Sequence, residues 1–185
     1  MLMNPVTIRR AGSRDGPLLA DLGARTFTET FGHLYPAGDL AAFLGQSYSC
    51  ETLTRYLNDP AMMAWVMEIS GHAVGYALAG ACDLPHPEVT PNCGELKRLY
   101  LLKAARGEGR GSRLLDISLE WLETTGRRRI WIGVWSGNLG AQRLYGRMGF
   151  AKVGEYDFAV GATRDQEFVL RRDATVGTTP RDRSV

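Results

Sequence analysis

Arg106-Gly107-Glu108-Gly109-Arg110-Gly111-Ser112 is the segment whose residue types and spacing point most directly to chemistry. Three glycines let a backbone turn tightly and approach a ligand with no Cβ in the way. An apolar helical pattern begins immediately after the loop. Its first N–H groups and positive dipole end would face whatever the loop holds, which suits an anion such as a pyrophosphate. Arg106, Arg110 and Arg113 add positive charge at the same place. A Rossmann fingerprint needs G-x-G-x-x-G and a P-loop needs G-K-[ST]. This loop reads G-x-G-x-G followed by Ser, so it is neither. Elsewhere the chemistry-bearing residues are less pointed. His33, His72 and His86 fall in loop or turn contexts, Cys93 has no readable nucleophile context, and Tyr145 lies on an apolar helix face where tyrosines usually serve the core.

Elements must hold that loop, and their pattern can be read along the chain. Val6–Arg9 alternates as a first strand; a helix follows Ser13 and Asp15 through Leu18, Leu19, Leu22, Phe27 and Phe31. Residues 39–44 and 50–57 predict two short helical pieces split by Gly45. Ala64–Ile69 and His72–Leu78 flank Ser70-Gly71 as a hairpin. Glu95–Leu102 and Arg129–Trp135 predict strands on either side of the helix that starts at the glycine loop and runs to Gly126. So short a strand–helix–strand unit implies a right-handed parallel crossover. A helix over Asn138–Met148, a strand from Phe150 to Val153 and on towards Val160, and a last strand over Glu167–Arg171 complete the pattern. The expected fold is α/β, a mixed sheet of six to seven strands with helices on both faces. Residues 1–173 read as one domain. Residues 174–185, small, polar and charged, read as a mobile tail.

Composition agrees with a globular chain and excludes several classes. The 185 residues are 44% hydrophobic and 23% charged, with 22 Lys and Arg against 20 Asp and Glu, a net charge of +2. These are ordinary globular values, and the balance is too even for a dedicated nucleic-acid binder. No run approaches 18 apolar residues, so no membrane partner is expected. Met1-Leu2-Met3-Asn4-Pro5 lacks the form of a secretory signal. Three widely spaced cysteines, Cys50, Cys82 and Cys93, with no C-x-x-C, fit reduced thiols of a cytoplasmic protein and no metal site.

The pattern Arg106-x-x-Gly109-x-Gly111 resembles the pyrophosphate loop of the GNAT family of acetyl-CoA-dependent N-acetyltransferases. Glu95-Leu96-Lys97-Arg98-Leu99-Tyr100-Leu101 is similar to the family's fourth strand. Asn138-x-x-Ala141-x-x-Leu144-Tyr145-x-x-x-Gly149-Phe150 is similar to its cofactor-side helix and the turn after it. The three blocks stand in the family's order, and the resemblance spans about residues 6–172. Arg110 and Lys103 depart from it, standing where a small aliphatic residue and a proline are usual; Gly140 and Gly146 fall inside the helix that carries Tyr145. Ile132-Gly133-Val134-Trp135, Val153–Phe158, Phe27–Phe31 and Tyr48-Ser49 look most like the bacterial PaiA-type polyamine acetyltransferases.

The resemblance implies a sheet splayed between strands 4 and 5, with acetyl-CoA as cosubstrate and no metal. The cofactor contacts it implies are Leu99, Tyr100 and Leu101 through the main chain; Arg106, Gly107, Glu108, Gly109, Arg110, Gly111 and Ser112 at the phosphates; and Asn138 and Tyr145. Arg110 either reaches the phosphates or lies along the surface. Tyr145 is the implied general acid for the departing thiolate. For the general base Glu95 is favoured, four residues before Leu99 and so expected on the same strand face, with Asp83, Glu29 and Asp39 as rival acids. The expected reaction is direct acetyl transfer to a primary amine, with a polyamine as the favoured acceptor. A protein N-terminus, an amino acid or another small amine, or a non-catalytic acyl-CoA-binding module, are the other readings. Family members are often dimers, so a homodimer is an expected arrangement.

Overall fold

The computed structural model describes residues 5–173; Met1–Asn4 and the expected tail at 174–185 lie outside the described residues. Strands are β1 (Val6–Arg10), β2 (Met63–Ile69), β3 (His72–Ala81), β4 (Cys93–Leu101), β5 (Arg129–Trp135), β6 (Ala151–Val160) and β7 (Thr163–Asp173). Helices are α1 (Gly16–Phe31), α2 (Ala37–Ser47), α3 (Cys50–Asn58), α4 (Arg110–Thr124) and α5 (Leu139–Arg147). The strands form a single sheet in the order β1-β2-β3-β4-β5-β7-β6, in which β4–β5 is the parallel pair and every other pair is antiparallel. The mixed sheet expected with six to seven strands is thus present, with seven.

Two apolar layers sandwich it. On one face Leu114, Leu115, Leu119 and Leu122 of α4 and Tyr145 of α5 pack with Trp65, Leu96, Ile130 and Ile132. On the other, Leu19, Leu22, Phe27 and Phe31 of α1 and Leu53 of α3 pack with Val66, Tyr76 and Leu78. The α4 pattern repeats every three to four residues, so one side of the helix is buried and the other carries its charges.

Gly45 does not divide a helix. α2 runs through it to Ser47, because Phe43 and Leu44 pack on the α1 layer and outweigh the roughly 1 kcal/mol that a helical glycine costs. The break falls instead at Tyr48-Ser49, where the Ser49 hydroxyl accepts the N–H of Thr52 and caps α3.

The feature that matters most for function lies at the centre of the sheet. β4 and β5 pair only at Cys93–Arg129, Gly94–Ile130 and Glu95–Trp131, although both strands run on, to Leu101 and Trp135. Just beyond the last pair β4 carries a bulge: Leu78 faces Arg98 and Ala79 faces Leu96, so Lys97 is an extra residue. A bulge bends the strand that holds it, and here β4 leaves β5 at that place.

α1 approaches the sheet closely through Gly23. A Cβ there would stand 2.4 Å from the ring of Tyr48 and 3.0 Å from the Tyr76 hydroxyl, both deeply buried. Gly23→Val should therefore overpack this layer and cost about 1–3 kcal/mol, lowering Tm by roughly 2–4 °C per kcal/mol. Gly45→Val, where a Cβ meets nothing within 4 Å, should leave Tm nearly unchanged in the same calorimetric scan.

Candidate active site

Parting of β4 from β5 leaves two cavities that meet at the splay. The first, about 300 Å³, lies between the separated strands and is lined by Leu96–Leu101 of β4, Ile132–Trp135 of β5, Arg106, Gly111 and the inner face of α5. The second, about 340 Å³, lies on the α1–α3 side and is walled by aromatic rings, among them Phe27, Tyr35, Phe43, Tyr48 and Phe158. Phe31, Lys97, Arg98, Tyr100, Gly133, Trp135 and Glu167 border both.

At the outer end of the first cavity stands the glycine loop. Gly107, Glu108 and Gly109 have φ of 95°, 51° and 71°, three left-handed residues in succession, a region where glycine carries no steric penalty. Consecutive residues of this kind turn their N–H groups to one side, and α4 begins directly behind them. The N–H groups of Gly107, Glu108, Gly109, Gly111 and Ser112 have no acceptor among the described residues, while those of Arg110 and Arg113 are held by Gly107 and Gly109. Free donors at a helix N-terminus make an anion site. A Cβ on Gly111 would stand 3.7 Å from Leu144, so a larger side chain there would crowd the passage from loop to cavity.

Arg106 and Arg110 are committed to the protein. Arg106 donates from Nε to the carbonyl of Leu101 (3.2 Å) and from its terminal nitrogen to the Thr30 hydroxyl (2.8 Å). The Arg110 side chain lies against the loop itself. It folds back to the carbonyl of Ala105 (3.2 Å) and the carboxylate of Glu108, because the left-handed turn at Glu108 brings that carboxylate beside it. Its role is to brace the loop.

Leu99, Tyr100, Leu101, Arg106, Gly111, Asn138 and Tyr145 all border the first cavity. The Asn138 side chain accepts the N–H of Ala141 at 3.1 Å and caps α5, which stays helical across Gly140 and Gly146. Tyr145 is 6% exposed, its ring edge-on to Phe150. Its hydroxyl makes no hydrogen bond to any described residue, and burial pushes its pKa above the ordinary tyrosine value. It is a protonated, uncommitted donor.

Glu95 occupies a different place from that expected. Counting by twos puts it on the face of Leu99, but the extra residue at Lys97 shifts the alternation. Leu96, Leu99 and Leu101 face the α4–α5 layer, and Glu95 turns to the aromatic cavity. There its Oε2 accepts the N–H of Asp83 (3.0 Å) and the ammonium of Lys97 (2.9 Å), which also reaches Asp83 (2.9 Å). Burial raises the Glu95 pKa, with Lys97 opposing the shift.

The rival acids Glu29 and Asp39 leave the site altogether. Glu29 accepts the N–H of Lys103 (2.7 Å) and Asp39 that of Ala162 (3.3 Å), so both cap backbone turns. Their places in the aromatic cavity are taken by Asp165 and Glu167 on β7, which the sequence reading missed. Tyr35 donates to Asp165 and Tyr156 to Glu167. Burial raises the Glu167 pKa, the Tyr156 hydrogen bond opposes it, and Asp165 and Glu95 add to the rise. The signal available was two acids two residues apart, and so on one strand face, just before the apolar run Phe168-Val169-Leu170. Arg98 adds a cation, its guanidinium 4.3 Å from the Tyr48 ring and bonded to the carbonyl of Ser47. Cys93 is buried away from both cavities, its sulfur held by Thr90.

Comparison with known proteins agrees with this geometry. Residues 25–150 match the model of the acetyltransferase (GNAT) family. The chain is similar to an uncharacterized N-acetyltransferase of Mycobacterium tuberculosis, 30% identical over 159 residues that cover 86% of this chain and 97% of that protein. It is also similar to an uncharacterized N-acetyltransferase from the pepI 3' region of Lactobacillus delbrueckii, 28% identical over 92% of this chain and 98% of the other. Among solved structures, the PaiA N-acetyltransferase of Thermoplasma acidophilum in complex with coenzyme A superposes with a TM-score of 0.73, covering 91% of this chain and 99% of that one at 17% identity, a likeness of fold.

Proposed function

This chain belongs to the GNAT family of acetyltransferases, and from that premise we propose that it moves the acetyl group of acetyl-CoA to a primary amine by direct attack, with both substrates bound together. The observation that carries the reading is the splay itself: a cavity with a donor-lined anion loop at one end opens, at the other, into a separate cavity rich in aromatic rings and carboxylates. Acetyl-CoA would supply an activated thioester and a pyrophosphate, and the residues present fit it. The free N–H groups of the 107–112 loop receive the phosphates, the unpaired edge of β4 over Leu99, Tyr100 and Leu101 receives an amide-bearing arm, and a backbone N–H of that edge polarises the thioester oxygen.

Tyr145 is the acid of this reading. Its raised pKa keeps the hydroxyl protonated at neutral pH, and its freedom from other partners lets it give that proton to a departing thiolate. Because a free alkyl amine titrates near 10.4, a base must take its proton before attack. Glu95, which the sequence favours for that role, is already matched by Lys97, and this supports a charged anchor for the acceptor. The acceptor we propose is a polyamine. Asp83, Glu95, Asp165 and Glu167 outnumber Lys97 and Arg98 around the cavity, and aromatic faces bind ammonium groups at about 0.5–2 kcal/mol each. We place the enzyme in the cytoplasm, which the free thiols of Cys50, Cys82 and Cys93 support.

Tyr145→Phe removes one oxygen and keeps the ring that packs on Phe150. Turnover, followed as thiol release, should fall about 10²–10⁴-fold while Tm hardly moves; unchanged turnover would return Tyr145 to the core.

The polyamine reading has its own test. With spermidine as acceptor, kcat/KM should fall as salt rises, because exposed charge attraction is screened beyond about 8–10 Å. A neutral-tailed alkylamine should show less dependence. Equal values with no salt effect would remove the polyamine while leaving acetyl transfer in place.

A further inference from the structure

The carboxylates of the aromatic cavity are not equivalent. Asp83, Glu95 and Asp165 border that cavity alone, whereas Glu167 borders both it and the cavity between β4 and β5. It stands at the boundary where an amine in one would meet an acetyl group in the other. Its backbone pairs with Trp135 at the end of β5 and with Tyr156 of β6. Gly133 lies beneath it without a side chain; a Cβ there would come within 3.1 Å of Glu167 Oε2 and 2.7 Å of the Tyr156 hydroxyl. The bare glycine makes room for this pair at the junction.

From this position we infer that Glu167, and not Glu95, is the general base that takes the proton from the acceptor ammonium, and that Tyr156 is its positioning residue. The inference rests on the acetyltransferase reading above. Glu95 is excluded from the same task by its partners: one oxygen already accepts two hydrogen bonds, one of them from an ammonium. Glu167 has no cationic partner among the described residues and a single phenol donor.

In the step so assigned, Glu167 removes one proton from the ammonium. The freed nitrogen lone pair forms the N–C bond to the acetyl carbon as the C–S bond breaks, and Tyr145 gives its hydroxyl proton to the sulfur. The second proton shed as the amide forms restores the Tyr145 hydroxyl, and Glu167 returns its proton to solvent. Amide, thiol and one released proton balance the reaction.

Titration gives the sign. Charged and titratable groups sharing the cavities of Glu167 are Tyr156 from β6, Asp165 from its own strand, Glu95, Lys97, Arg98 and Tyr100 from β4, Asp83 from the β3–β4 connection, Tyr35, Tyr48 and Tyr56 from the α1–α3 side, Arg106 from the glycine loop, and Tyr145 from α5. The base must be ionised to act, so kcat/KM falls on the acid side as Glu167 protonates. Tyr156 donates to the ionised form and holds the pKa down. Tyr156→Phe should therefore shift that acid limb to higher pH.

The test compares the intact enzyme with Glu167→Gln, Glu167→Asp, Tyr156→Phe and Glu95→Gln. Readouts are Tm, the Tm increment caused by acetyl-CoA, and kcat/KM against pH with spermidine and a panel of primary alkyl and aryl amines. Glu167→Gln should keep Tm and the acetyl-CoA increment, lose turnover about 10²–10⁴-fold and lose the acid limb. Glu167→Asp should recover part of the rate, and Glu95→Gln should raise KM for spermidine while keeping the limb. A Glu167→Gln enzyme that retains the limb, or a limb lost in Glu95→Gln instead, would overturn the assignment but not the acetyltransferase reading. An intact enzyme that acetylates no amine of the panel would overturn both.

Discussion

Parallel pairing between β4 and β5 ends at Glu95 and Trp131, and beyond it the facing backbone groups of both strands lack the partners a sheet would give them. Buried backbone donors and acceptors without partners are costly, so an open gap of this kind persists only where something enforces it. Here the enforcement is the extra residue at Lys97. It bends β4, and α4 and α5 on one side and the aromatic layer of α1–α3 on the other fix the two strands in their separated course. The two cavities, the exposed strand edge and the position of the glycine loop all follow from that bend.

The same bulge divides the chemistry between the two faces. By shifting the alternation it turns Glu95 to the aromatic cavity while Leu96, Leu99 and Leu101 face the layer under α5. Carboxylates are thereby gathered on the side where an amine would enter, while the thioester side holds a protonated tyrosine among apolar groups. Tyrosines manage the buried charge. Tyr35 on Asp165 and Tyr156 on Glu167 supply hydrogen bonds to these carboxylates without adding a cation. Lys97 does the opposite for Glu95 and Asp83, pairing with both.

Much of this was legible in the residues. Helix and strand periods gave the order of elements, three glycines before an apolar helix marked the loop, and the spacing from Asn138 to Tyr145 marked α5. What escaped reading has physical causes. The bulge shows in the sequence only as a phase slip, two polar residues Lys97-Arg98 between Leu96 and Leu99, and counting by twos straight through it puts Glu95 on the wrong face. The Arg110–Glu108 pair is not legible from the residues, because Glu108 is brought round only by a left-handed turn at a non-glycine residue. Glu29 and Asp39 read as site acids but cap turns made by distant segments, Lys103 and Ala162. Glu167 is 72 positions along the chain from Glu95 (167 − 95), and only the sheet order β4-β5-β7 brings them to one cavity.

The central claim is that amine and acetyl donor occupy two joined cavities at once and that the acetyl group passes directly between them. Initial rates measured over a grid of acetyl-CoA and spermidine concentrations test this most directly. Direct transfer predicts intersecting lines in double-reciprocal form, with no acetylated protein in the intact mass after incubation with acetyl-CoA alone. Parallel lines, together with one stably acetylated side chain, would contradict it.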